Sequence, residues 1–285
     1  MPGFINAGEY ARCFDEGRSV FCSFRKVPSQ ASTAGWWVDL SMAAGNPPAN
    51  FYAAEPLVAD VLDPLKGIYH GGPVSPEKKY LASWGLSTPT AALLGEYKLL
   101  DYVAYYPFID MDSTDEQVLD NTTLSGSIIP RYQTTGCQVM VVTSAPTIGA
   151  GQFTFTYLNQ AGVLKTSPNQ FCGTAVSNIS NLHSQQATVG GLGPFLRLDA
   201  GDTGVTAIQS VTFTVPNGGL AAFVLVRPIA HTKITEITST TEVQYLREAV
   251  NHPEVPDDAY LGLITNCAAT VAAGQLMGYA TFIWK

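Results

Sequence analysis

Residues 153–157 read FTFTY, a strict alternation of large apolar and small polar side chains. A two-residue period places Phe153, Phe155 and Tyr157 on one face of an extended chain, and no helix can do the same. The polar run NQAG follows and then VLKTS (residues 163–167), which predicts a hairpin. The same grammar recurs downstream. VMVV (139–142) is a short apolar run between polar turns, and FLRLD (195–199) leads through AGDTG into IQSVTFTV (208–215). Asn217-Gly218-Gly219 then turns the chain into LAAFVLV (220–226), apolar on both faces as a central strand is. KITEITSTTEVQYL (233–246) alternates again. Short strands with Gly, Asn and Pro at the turns predict a mainly β chain, an antiparallel β-sandwich or jelly roll.

The first hundred residues read differently. AAGNPPANFYAAEP, DPLKGIYHGGPVSPEKKY and WGLSTPT scatter Pro and Gly at intervals that break helices and ladders alike. The expectation is a loop-rich N-terminal arm over residues 1–98 and a β-sandwich domain over 99–285. One or two short helices belong to the arm. Residues 55–63 place Leu57, Val58, Val61 and Leu62 on one face, and Thr88-Pro89 supplies an N-cap and first-turn proline for residues 88–100.

Apolar residues are 46% of the chain, enough for a large core, while charged residues are only 13%. That is about half the usual share of charge, and it predicts a surface partly covered by partners. The net charge of −8 comes with adjacent basic residues only at Arg25-Lys26 and Lys78-Lys79. No nucleic-acid partner is expected, because phosphate binding needs clustered Lys and Arg. Five widely spaced cysteines (Cys13, Cys22, Cys137, Cys172, Cys267) include no CxxC pair and predict buried, reduced thiols made in a reducing cytoplasm. Residues 1–17 lack the basic start and apolar block of a secretory signal. Residues 260–284 are free of charge, but they carry Asn266 and Gln275 and end in the strand-like MGYATFIW, so no membrane partner is expected.

Candidate chemistry concentrates in residues 99–121, LLDYVAYYPFIDMDSTDEQVLDN, where five acidic side chains follow an aromatic run. Asp110, Asp112 and Thr114 match the first, third and fifth positions of an EF-hand loop. Asp115 then stands where the sharp turn needs Gly, and Asn121 where the bidentate Glu belongs. The expectation is a solvated or contact-making loop and no metal. No GxSxG elbow occurs, since GLSTP around Ser87 ends in Pro. His70, His183, His231 and His252 are isolated, and GGLG at 190–193 lacks the third glycine of a dinucleotide turn. Neither catalytic residues nor a cofactor are expected, and the chain does not read as an enzyme.

Three segments carry a resemblance. Residues 99–121 with IIPRY (128–132), and FLRLDAGDTGVTAIQSVTFTV with GGLAAFVLVRPIA (195–230), resemble segments of structural proteins of tailed bacteriophages encoded among head genes. NFYAAEPLVADVLDPLKGIYHGGPVSPEKKYL (50–81) fits the same proteins. The resemblance implies a particle component located in the virion and assembled in the host cytoplasm. Together with the low-charge acidic composition and the arm, it leads to the expectation of a capsid decoration or cement protein, a homotrimer that sits on the major capsid protein. The alternatives are a tail, neck or fibre-adapter protein and a virion-bound glycan-binding protein. Candidate assembly contacts are the arm aromatics Trp36, Trp37, Phe51 and Tyr52 and the acidic residues Asp110, Asp112 and Asp115.

Overall fold

The computed structural model describes residues 4, 6–28, 35–124, 129–173, 179–183, 193–245, 252–267, 269, 271 and 274–285. Residues 190–192 of the GGLG run lie outside that set. The chain is mainly β, with antiparallel sheets packed face to face as the alternation predicts.

A central six-stranded sheet organises the molecule. Its order is β11 (Leu182–His183), β7 (Gln138–Ala145), β13 (Leu220–Ile234), β5 (Gly95–Asp110), β15 (Leu261–Cys267) and β2 (Trp37–Asp39). A second sheet runs β10 (Gln170–Phe171), β8 (Gln152–Asn159), β12 (Val205–Phe213), β6 (Gln117–Val118), with β9 (Leu164–Thr166) paired to β8. The third runs β14 (Thr241–Gln244), β4 (Lys79–Ser87), β16 (Leu276–Trp284), β1 (Ser19–Val27), β3 (Ala44–Asn46). The predicted β8–β9 hairpin is present, closed by the Asn159 side chain accepting from the Ala161 and Val163 N–H groups.

The long strands β5 and β13 pair over almost their whole length and serve both outer sheets. Val103, Tyr106 and Ile109 of β5 pack with Phe223 and Leu225 of β13 against Phe153, Phe155 and Val211 of the second sheet. Further along the same strands, Tyr97, Leu99, Ala230 and Ile234 pack against Phe24, Trp84 and Phe282 of the third. Between these cores the register slips, with Val103 extra on β5 and Ile229 extra on β13. An extra residue bends and twists a strand pair, so these two slips fall where the sheet passes from its first partner to its second. A third, between Ala221 and Phe223, lies towards the other end of the first core. The opposite face is covered by loops carrying Tyr52, Leu62 and Phe195 onto Tyr102, Val224 and Ile264.

The expected division at residue 98 is not the one the fold makes. Residue 98 lies inside β5, and β1 and β4 flank β16 from the C-terminal end. Residues 1–98 therefore supply core strands rather than a separate arm. Pro and Gly punctuate the links between those strands, while SVFCSFRKV and KYLASWGLS themselves stay free of proline. Neither expected helix forms. At residues 55–63 the backbone is used in tertiary pairing, with Leu57 N–H donating to Pro107 O and Ala59 N–H to Asp120 O. At 88–100 a single turn, Ala91–Leu93, precedes β5, whose two-residue period buries Tyr97 and Leu99. The helix that does form, α1 (Ala7–Asp15), starts at Asn6, which accepts from Glu9 N–H at 2.9 Å. That Asn-x-x-Glu spacing was a readable start signal. FLRLD does not become a strand, because its N–H groups are claimed singly, Leu196 by Val139 O and Asp199 by the Tyr157 hydroxyl.

Candidate interaction surface

Charge inside this molecule is paired by its own chain. Asp39 is fully buried on β2 and accepts from the Tyr52 and Tyr102 hydroxyls and from the N–H and hydroxyl of Ser41. Lys26 points inward from β1 into four carbonyls, those of Ser41, Ala43, Pro47 and Pro48, at 3.0–3.5 Å. Burial pulls its amine down to about 8, an effect that nearby Asp39 partly offsets. Between the two cores, Arg131 grips Asp101 with two nitrogens and reaches Asp258 at 3.2 Å.

Beside that junction Lys79 Nζ donates to Asp257 Oδ1 (3.0 Å) and Gly72 O (2.9 Å), and meets His70 Nδ1 at 3.2 Å. His70 Nε2 lies 2.9 Å from Ala259 O, an obligate acceptor, so Nε2 carries the proton and Nδ1 accepts from the lysine. Burial, with Lys79 adding to it, holds His70 down at about 4. His183 follows the same logic. Its Nδ1 accepts from Gly173 N–H, its Nε2 meets Thr143 Oγ1, and burial brings it down to about 4. Both imidazoles are neutral structural groups. All five cysteines are buried free thiols, and burial pushes Cys22 up to about 11 and Cys172 up to about 12.

The aromatic assembly candidates divide. Tyr52 (1% exposed) and Trp37 (6%) are turned into their own chain, Tyr52 onto Asp39 and Trp37 beneath Lys98. Trp36 is half-buried, edge-on to His183 and so close to Gly173 that a Cβ there would stand 1.6 Å from the indole. Tyr52 and Trp37 are buried in the fold, which corrects the contact role expected of them, whereas Trp36 keeps part of its surface open. Phe51, at 55% exposed, is the member of the group that faces outward.

The acidic candidates stay together at one end of the sandwich. Asp110, Asp112 and Asp115 are all exposed, in the loop that leaves β5. Asp110 Oδ1 accepts from Asp112 N–H at 2.9 Å, and Asp112 Oδ1 accepts from Gly218 N–H at 3.2 Å. The loop is also tied to the β12–β13 turn by Asn217 N–H to Met111 O and Met111 N–H to Gly219 O. Gly218 has φ +64, and its missing side chain admits Ile148, whose Cγ1 would stand 2.8 Å from a Cβ. Ile148 projects from the neighbouring loop with 81% of its surface open, and Val215 ahead of the β12–β13 turn is half-exposed. The result is an apolar tip beside an acidic turn. Among the described residues, no group of three or more His, Cys, Asp or Glu side chains is arranged to hold a metal ion. No described helix is long and apolar enough to cross a membrane.

A second apolar area lies on the outer face of the third sheet, where Phe21 stacks on Tyr279 at 5.7 Å with Met277 two residues along. Sequence reasoning missed Ile148 and Phe21. Ile148 sits in a Pro/Gly loop with no periodicity, and the outward face of β1 is legible only once β1 is known to be a strand. No family model matches the chain, and no curated protein or solved structure matches it.

Proposed function

We propose that the protein is a structural component of a tailed-bacteriophage particle, a decoration or cement protein that docks on the major capsid protein through the Ile148 tip. The observation that carries this reading is the juxtaposition of Ile148 with Asp110, Asp112 and Asp115 on turns locked to one another. Protein interfaces combine an apolar centre with a polar rim, and turns already ordered before binding lose little entropy in docking. The partner patch it fits is apolar and flanked by Lys or Arg. The low overall charge and the resemblance of residues 50–230 support the same reading. In this reading the protein acts by adhesion and is not an enzyme, and it carries no cofactor. It sits in the virion, and the homotrimer uses the Phe21–Tyr279 face, since acidic tips repel one another.

The test is co-sedimentation of the purified protein with particles of the phage that encodes it, stripped of their own copy. Wild type is expected to pellet with the particles, and Ile148→Asp and Asp112→Lys to remain in the supernatant while keeping the wild-type Tm. Binding confined to isolated tails or necks selects the tail or adapter role instead. Wild-type binding by both variants removes the tip from the interface.

A further inference from the structure

We infer that the loop-covered side of the central sheet holds a glycan-binding site centred on Phe51. A concavity of about 310 Å³ opens there, with Phe51 on its wall and Tyr105 and Tyr260 among the residues that line it. That volume lies at the small end of the range for ligand sites, enough for a single sugar ring or a short glycan end. Phe51 leaves more than half of its surface open to solvent, although the rings around it are buried. The faces of pyranose rings carry C–H bonds that pack on aromatic rings, while their edges carry hydroxyls that need donors and acceptors.

Both kinds of group are present. Asn50 lines the concavity, and its Nδ2 is buried with no hydrogen-bond partner among the described residues. A buried amide N–H without a partner costs free energy unless something supplies one. Asp63 and Lys66 line the same concavity. Asp63 uses Oδ1 to accept from Leu65 N–H, which orders the turn that bears it. A carboxylate, an amide and an ammonium around an aromatic wall match adjacent sugar hydroxyls. They do not match a purely apolar ligand, and one lysine in a chain of net charge −8 does not match a polyphosphate. The walls are held from behind, since Tyr52 N–H donates to Asn50 Oδ1 and Tyr105 donates to Asp60. The inference does not depend on the particle role, because the site and the Ile148 tip share no residue.

Saturation-transfer NMR on the full chain tests it, with the methyl glycosides of glucose, galactose, mannose and N-acetylglucosamine as probes. At least one is expected to receive saturation at its ring protons, with a millimolar Kd. Phe51→Ala should weaken that binding about tenfold or more without moving Tm, because the ring is exposed, and Phe51→Trp should retain it. Asn50→Asp, which keeps the acceptor for Tyr52 N–H and removes the amide donor, should weaken it about threefold to tenfold. Absence of transfer from all four probes overturns the inference. So does transfer unchanged in Phe51→Ala, which would place the sugar elsewhere. Particle co-sedimentation of Phe51→Ala reads the docking role separately and should match wild type.

Discussion

Carboxylates occupy two contrasting regions of this molecule. At the junction between the two cores, Asp101 is fully buried and held by the Arg131 fork, and Asp257 by Lys79. At the tip, Asp110, Asp112 and Asp115 are exposed, and Asp110 and Asp112 accept from backbone N–H groups of the tip, Asp112 N–H and Gly218 N–H. The difference is one of desolvation. A charge at the junction has left water and depends on its partner. A charge at the tip is hydrated, contributes little to stability, and is available to another molecule. If the tip is the docking surface, stability and docking sit in different places, and substitutions should separate them.

The largest effect is expected from deleting residues 1–50. This removes α1 and strands β1, β2 and β3, strips β16 of one neighbour, and opens the core around Phe24. The truncated chain should lose its cooperative thermal transition in calorimetry. A truncated chain that melts near wild type would mean that the two ends of the chain are not one unit.

Arg131→Met comes next. It leaves Asp101 buried without its cation and should cost about 3–5 kcal/mol in urea unfolding. A loss below about 1 kcal/mol would show that the junction pair behaves like a surface pair.

Acid should act on the interior through His70 and His183. Both have folded values depressed to about 4, below the ordinary 6.5. Their unfolded forms bind protons first, so stability is fully present above about pH 6.5 and falls as pH drops towards 4. The loss is on the order of 3 kcal/mol per imidazole. Urea midpoints measured across that window check it, and His70→Gln should flatten the slope.

The smallest effects belong to the tip. Asp112→Asn and Ile148→Ser should stay within about 0.5 kcal/mol of wild type. A chelator should leave Tm unchanged to about one degree, because no metal is required there. A calcium-reversible fall in Tm would overturn the structural reading of the acidic turn.

How far the sequence could be read follows the same divide. Strands with a local period or an unbroken apolar run announced themselves, whether the partner follows at once, as for FTFTY, or lies far upstream, as β5 does for LAAFVLV. Each carries its own period and turn residues. The third sheet was hidden because its strands come from the two ends of the chain, and β1 and β4 acquire a sheet only when β16 lies between them. Pairing at that separation leaves no local mark, and the Pro and Gly of the links pointed to an arm. The site divided similarly. Consecutive acidic residues were legible as an exposed turn, while Ile148 becomes their neighbour only through Gly218 and the β12–β13 turn. Tyr52 and Trp37 looked like contact aromatics because nothing in the sequence ties Tyr52 to Asp39 or places Trp37 on a sheet strand.

The claim that the tip docks on a repeated capsid lattice is tested most directly by counting. Quantitative mass spectrometry of purified particles, referenced to the major capsid protein, gives the copy number per particle. A lattice-bound decoration protein predicts copies on the order of hundreds, in fixed ratio to capsid subunits, because each symmetry-related site is filled. A count of about a dozen or fewer, or none, would contradict it.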